Sequence, residues 1–469
     1  MELNGKEISE LEKEIPRTIY AENDQYYVGQ NTAITDKPRK REPDNRIPVA
    51  FANRLIKNLT GYAARKGDIT TKWTPINSAV TDDSFIKAYG KIESDSQINI
   101  LNSQLYKTVL KQGKAFDVVW TETDVNGDMI IKVADVPIYQ AMPIWDDELS
   151  AIKTLSKFIR YYTVPSKKDI KIGNQVLTLE AGHYAEVYYV GYYDVWYLRA
   201  LDDNGQGDTE RRLYTQAQPF TDIQVSSYFG NDEMIPYWWP VKNLIDQFDK
   251  VMSGNMNEVD RFNDTWLMFM QNVPPEAKRK IQEMGIIDNL QNALNEFVTD
   301  AWPRFLERNI PVAHTQLMLT TLENLIYTII GVPSFLDETF GTASGVSLLF
   351  RLIGLEYAAV ETDTYFDIGI DHRNGLIKQG LSKITNYQGV PYTQASLQNY
   401  QSSVQHKRNI PLDKTTIIND ALALKGVGVS MDTVINYLPK EIIPNVAEEL
   451  ERIKNDMPEP MEPMNLDDV

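Results

Sequence analysis

The residues able to do chemistry are few and badly spaced for it. Four histidines, His183, His314, His372 and His406, are scattered through 469 residues, and no two stand at the three- or four-residue spacing that brings a pair of ligands to one metal. With no cysteine in the chain, thiol catalysis, Cys-ligated zinc and disulfide staples are excluded. No phosphate-cradling G-x-x-x-x-G-K loop, H-E-x-x-H pair or G-x-S-x-G elbow occurs. Asp124, Asn126 and Asp128 are spaced like the start of an EF-hand loop, but Gly127 stands at the wrong place and no Glu occupies the twelfth position. The same residues contain Asn126-Gly127 between the alternating runs Phe116–Thr121 and Met129–Val133, which is a hairpin signal. Asp337-Glu338 is one acid pair among 65 acids and alone supports no general acid/base reading. Two clusters remain, a basic run at Lys37-Pro38-Arg39-Lys40-Arg41 and a crowd of aromatics from Tyr161 to Tyr197. The first reads as part of a solvated N-terminal arm. Cross-strand packing is the simpler account of the second, with a sugar-binding platform as the alternative.

The composition bounds the partners. A net charge of −18 and a pI near 4.8 do not suit a protein that grips a polyanion by counterion release. A hydrophobic content of 42% suffices for several cores, and the length allows two to four domains or one elongated, layered subunit. The charged start, MELNGKEISELEKEIP, has no signal-peptide core, and no run approaches the 18 apolar residues of a membrane span. The expectation is an intracellular protein without a membrane segment or an internal repeat.

These residues hang on elements that the spacing predicts. Helices are expected at Ile8–Glu14, Val49–Tyr62 and Gln97–Gly113. Strands are expected at Phe158–Val164, Tyr184–Tyr193, Val195–Ala200 and Arg212–Thr215, with a turn at Asp202-Asp203-Asn204-Gly205. After Pro240, Leu244, Phe248, Met252, Met256, Val259, Phe262, Trp266 and Met270 recur at three or four, predicting a helix of about thirty residues ended by Pro274-Pro275. Its other face carries Lys242, Asp246, Asp249, Lys250, Asn257 and Asp260. A helix broken near Gly285 comes next at Glu276–Phe297, then a short strand at Trp302–Arg308 and a helix at Gln316–Ile330. Beyond the spine helix, a weakly alternating strand is expected at Ala395–Lys407 and helices at Thr415–Leu424, Ser430–Tyr437 and Asn445–Asp456. The tail MPEPMEPMNLDDV reads as disordered.

The organising stretch runs from Ile329 to Ile377. Pro333, Gly341 and Gly345 interrupt a polar loop, and Ser344 can cap the helix after it. Leu348, Leu352, Leu355, Ala359, Phe366, Ile370 and Ile377 then hold one apolar face through a helix of about 55 Å. The run G-V-P-S…F-G-T-A-S-G-V-S-L-L-F-R-L at 331–352 resembles the portal proteins of tailed bacteriophages, in the segment that joins a stem helix to a long wing helix. Leu244 to Ser253 is similar to the opening of their first stem helix, Tyr26-Tyr27-Val28-Gly29-Gln30-Asn31 to their N-terminal pattern, and Val429-Ser430-Met431-Asp432-Thr433 to their crown.

The resemblance implies an α+β, elongated, multi-domain portal fold. Its parts would be an arm (1–48), a wing (49–239, β-rich over 114–230), a first stem helix (240–273), a clip (274–312), a second stem helix (313–331), a channel loop (332–346), the long wing helix and strand (347–410), a crown (411–457) and an acidic tail (458–469). It implies a ring of about twelve subunits at one capsid vertex, closed by heterologous contacts. Double-stranded DNA would pass through without sequence specificity, past a like-charged wall to which it does not stick. Large terminase and then a head-tail adaptor would dock on the clip, and the major capsid and scaffolding proteins would surround it. The virion would be its location, after assembly in the host cytoplasm. Ser334, Asp337, Glu338, Thr339, Phe340, Thr342 and Ser344 would face DNA, with Pro333, Gly341 and Gly345 as hinges. Lys278, Arg279, Lys280, Arg304 and Arg308 would meet the clip's partners, and Lys242, Asp246 and Lys250 would line the channel. No cofactor and no catalysis are implied, and without a phosphate loop the chain is not the packaging motor. A carbohydrate-binding or carbohydrate-active protein built on the aromatic region, and another ring-forming head-tail adaptor, are the alternatives.

Overall fold

Between Lys114 and Phe229 aromatic and β-branched residues alternate with polar ones, and there the chain folds almost wholly into antiparallel strands. The computed structural model describes residues 2–36, 43–77, 82–123, 127–146, 152–172, 175–201, 210–263, 267–269, 303–305, 312–333, 345–409, 414–438, 442–443 and 445–456. The expected helix at 276–297, the turn at 202–205, the channel loop from 334 to 344, the tail from 458 and the basic run at 37–41 lie outside these residues.

The described chain is α+β. Helices α1 (Gly5–Glu14), α2 (Arg17–Val28), α3 (Thr32–Thr35) and α4 (Phe51–Ala63) lead to β1 (Ile69–Pro75), and α5 (Ser84–Asp95) and α6 (Ile98–Gln112) lead to the sheets. Strands β2 (Lys114–Thr123) and β3 (Met129–Val136) form the expected hairpin, closed at Thr123 opposite Met129. Strands therefore flank Asp124–Asp128 where an EF-hand needs helices. Next come β4 (Ala141–Trp145), β5 (Leu155–Val164), β6 (Lys168–Ile172), β7 (Gln175–Leu179), β8 (Gly182–Tyr189), β9 (Tyr192–Arg199), β10 (Arg211–Ala217) and β11 (Val225–Phe229). They build one five-stranded sheet in the order β10-β9-β8-β5-β4 and one three-stranded sheet β11-β2-β3.

Two local expectations give way here. The strand foreseen at Tyr184–Tyr193 is two strands, because Gly191 at φ 81° turns the chain back between them. The N-terminus is not a solvated arm: Ile8, Ile15, Tyr20 and Tyr26 are buried, the first three in the main core beside Phe116, Phe158, Ile159 and Val187. Its many Asn, Gln and Tyr residues mask this, since they anchor the helices by hydrogen bonds as much as by apolar area.

The helical half holds α7 (Lys242–Asn263), β12 (Leu267–Phe269), β13 (Pro303–Phe305), α8 (Val312–Ile330) and α9 (Gly345–Leu381). Helix α7 stops ten residues before the expected 273, because Leu267–Phe269 leaves the helix to pair antiparallel with Pro303–Phe305. The 37-residue α9 matches the expected spine. After it come the hairpin β14 (Asn386–Tyr387) and β15 (Val390–Pro391), α10 (Gln394–Asn399) and β16 (Tyr400–His406). The strand expected at 395–407 thus begins as a helix, capped by Thr393, and its second half pairs with β1 over seven residues.

The chain divides into two compact units, residues 1–334 with 353–408, and residues 335–352 with 409–469. The second unit contains α11 (Lys414–Gly426), α12 (Met431–Tyr437) and α13 (Val446–Asp456). Its small core includes Ala421, Val434 and Ile435.

Candidate functional site

The buried side of helix α7 mixes apolar and polar residues, with Ile245 and Phe248 buried beside Asp246, Asp249 and Ser253. Asp246, Asp249, Ser253, Asn257 and Asp260 recur at three or four and so share one side of the helix. Each meets the N-terminal segment. The Tyr26 hydroxyl donates to Asp246 at 2.6 Å and the Asn31 amide to Asp249 at 2.7 Å. Residues 45–49 then run antiparallel to the helix. Val49 N–H donates to Asp249 at 2.9 Å, Ile47 N–H to Ser253 Oγ at 3.0 Å and Asn45 N–H to Asn257 at 2.6 Å, while the Asn45 amide reaches Asp260 at 2.5 Å. Arg46 closes the base of this strap by donating to Thr35 O and pairing with Asp44.

The electrostatics derive from burial. Asp249 is fully buried, which pushes its carboxyl up to about 6 against the bonds from Asn31 and Val49. Burial and the bond to Asp246 push Tyr26 up to about 12. Burial works against the charge on Lys242, but its contacts with Tyr26, Asp246 and Glu22 hold the ammonium above the ordinary lysine range. That ammonium lies 2.9 Å from the Tyr26 hydroxyl, 3.3 Å from Glu22 and 3.4 Å from Asp246. Lys242 and Asp246 are thus spent inside the protomer and are not free wall groups, while Lys250 is half-buried.

Only the far part of the apolar stripe is left outward. Phe248 is buried against Phe51, which also meets Tyr327 of α8, but Met256 and Val259 are exposed. On α8, Leu317 is 65% exposed and Ile329 55%, with Met318 and Leu325 also uncovered; on α9, Tyr357 is 68% exposed. Isolated apolar residues on a surface mean little, but a series along packed helices marks an interaction face.

Helix α8 ends at a built junction. Val332 N–H donates back to Tyr327 O at 3.0 Å and Gly331 N–H to Thr328 O at 3.2 Å, with Gly331 left-handed at φ 74°. The Tyr237 hydroxyl donates to Ile330 O at 3.0 Å. Pro333, inside the expected loop, is the last described residue before position 345, and Gly345 is the first residue of α9. Ser334, Asp337, Glu338, Thr339, Phe340, Gly341, Thr342 and Ser344 lie outside the described residues. So do Lys278, Arg279, Lys280 and Arg308, whereas Arg304 occupies the middle of β13, opposite Met268.

Two constellations resemble other chemistry and fail on access. His372 lies 3.2 Å from Ser226 Oγ and 3.4 Å from Asp222, but Ser226 is fully buried on strand β11 and no substrate can reach it. The tyrosines are register partners: Tyr162 opposite Tyr184, Tyr184 opposite Tyr197 and Tyr188 opposite Tyr193. Their rings pack at 5.4 to 5.7 Å, and Tyr161, Tyr184 and Tyr188 are buried. A sugar platform needs open ring faces, and those of Tyr161, Tyr184 and Tyr188 are buried while Tyr162, Tyr193 and Tyr197 are half-buried against them. Sequence reasoning missed the strap and the Tyr237 junction; the Asn31 and Asn45 pair, polar residues flanking a helix start and a proline turn, was the only local signal.

A family model described as phage portal protein, SPP1 Gp6-like, matches residues 5–459. No curated protein gives a significant match to the chain.

Proposed function

The chain belongs to the SPP1 Gp6-like family of phage portal proteins, a structural component of the phage capsid, and from that premise we propose that it closes a ring of about twelve subunits around a DNA channel. The observation that carries the assembly is the series of exposed apolar residues along the two helices. Asp246, Asp249 and Ser253 of α7 are engaged by its own N-terminal strap, and Met256 and Val259 of α7 with Leu317, Met318, Leu325 and Ile329 of α8 stay exposed among polar neighbours such as Gln247 and Asn324. Such a face needs another protein surface. Copies related head to tail bury it without exhausting it, and closed rotation makes a ring.

The remaining assignments belong to the same proposal. The loop from 332 to 346 narrows the bore and faces DNA through Ser334, Asp337, Glu338, Thr339, Phe340, Thr342 and Ser344. The net charge of −18 keeps the duplex from binding the wall. The clip, with Lys278, Arg279, Lys280, Arg304 and Arg308, presents cations to large terminase during packaging and to a head-tail adaptor afterwards, while the major capsid and scaffolding proteins hold the ring at its vertex.

Electron microscopy of the purified chain with native mass measurement tests this. Rings of about twelve with a bore that admits a duplex are expected. A closed assembly with a bore too narrow for DNA refutes the channel and favours a head-tail adaptor.

A further inference from the structure

The junction where α8 ends is held by backbone against backbone. A methyl group placed on Gly354 of α9 would lie 2.2 Å from Gly331 O and 2.9 Å from Gly331 C and Cα, and one on Gly331 would lie 3.0 Å from Gly354 O. Those neighbours are main-chain atoms, which cannot rotate aside as a side chain does. Glycine inside a helix costs about 0.5–1 kcal/mol relative to alanine, so Gly354 sits on the spine helix at a stability cost that the contact explains. Gly331 is constrained twice, by this contact and by its positive φ. Tyr237 adds a third restraint. Its hydroxyl holds Ile330 O, its own N–H donates to Leu110 O at 3.0 Å, and desolvation holds its pKa well above the ordinary tyrosine range. The chain segment between these points, from 332 to 353, contains the expected channel loop.

We infer that Gly331, Gly354 and Tyr237 are positioning residues on which the channel loop depends, because they hold the end of α8 against α9. This rests on the reading of 332–346 as the channel loop. None of the three touches DNA in this scheme. They act by holding α8 and α9 at backbone contact, a separation that any side chain at 354 forbids.

The test uses the full chain carrying Gly354→Ala, Tyr237→Phe or Gly375→Ala. Gly375 is the control, since it lies on the same helix with nothing within 4 Å of an added methyl. Two readouts are taken: hydrogen exchange at the Val332 amide, which is bonded to Tyr327 O, and DNase-protected genome in packaging reactions with intact rings. Gly354→Ala is expected to speed Val332 exchange and cut packaging about tenfold each, Tyr237→Phe to move both the same way by about threefold, and Gly375→Ala to move neither. Tyr237→Phe keeps the shape of the site, so it decides the matter if Gly354→Ala fails to fold. Faster exchange with packaging at the wild-type level overturns the inference while leaving the channel reading standing. Rings that pass no DNA in the unaltered protein overturn both.

Discussion

Replacing Asp249 by Asn isolates the cost of burying a carboxylate under the strap. In the folded chain this group has its pKa raised to about 6 from 3.8. A raised carboxyl pKa means that the folded state holds its proton to higher pH than the unfolded state. Its contribution to stability is therefore fully present below the unfolded pKa and falls as pH rises through the folded one. Between pH 5 and pH 8 the linkage removes about 1–2 kcal/mol. The amide of the Asp249→Asn variant cannot ionise and is spared this loss, but its nitrogen must face one of two donors, the Asn31 amide or Val49 N–H. Asn31 cannot flip to accept, because its own carbonyl oxygen already takes Ala33 N–H at 2.9 Å. The substitution thus carries a pH-independent penalty of about 1–3 kcal/mol for a donor left without an acceptor. Urea unfolding of both proteins at several pH values separates the two effects. The stability difference between variant and wild type should shift in the variant's favour by about 1–2 kcal/mol from pH 5 to pH 8, other groups cancelling in the comparison. A difference that stays constant with pH refutes the claim that Asp249 titrates under the strap.

Three other outcomes derive from the same geometry. Arg373, buried on α9, bonds Asp117 at 3.0 Å and Asn102 at 2.6 Å, so Arg373→Met strands a buried carboxylate and should lower unfolding free energy by about 3–5 kcal/mol; a loss under about 1 kcal/mol in denaturant titration contradicts it. Leu325→Ser, on the exposed stripe of α8, should leave the protomer's melting temperature within a few degrees yet weaken assembly at least about tenfold by sedimentation, and intact rings at low protein concentration would count against that face. Gly341→Pro should leave rings intact and block DNA packaging, since it stiffens the proposed channel loop; normal packaging by that variant removes loop mobility from the mechanism.

Much of this molecule is legible because it obeys local rules. The spine helix announces itself by apolar residues at helical spacing from Leu348 to Ile377, and the β2–β3 hairpin by Asn126-Gly127. The features that the sequence hides are decided at a distance. Leu267–Phe269 continues the apolar period of α7, but pairing with a segment nearly forty residues away turns it into a strand. The helix Ser84–Asp95 is not among these, since its buried Phe85, Ala88, Tyr89 and Ile92 stand at helical spacing and only a capping bond at its start is missing. The strap is the hardest to foresee. Apolar spacing alone assigns Lys242 and Asp246 to the open side of α7, but both are covered alongside the buried Ile245 and Phe248. Only the positions of Tyr26, Asn31 and Asn45, some two hundred residues earlier, reveal which face is covered. The channel-loop and clip assignments rest on resemblance alone, because neither carries a pattern that local physics requires.

The apolar exposure of α7 would also limit what the proposed ring can encode. Hydrogen bonds and ion pairs fix register, because each donor has one acceptor at one distance. Thioether and branched aliphatic side chains such as Met256 and Val259 impose no such alignment, and their attraction survives a slide or a small rotation. In the proposed ring, neighbours joined through these residues would be cohesive without being keyed. The subunit count would then have to be written into other contacts, and the stems would be free to shift past one another without a bond being broken.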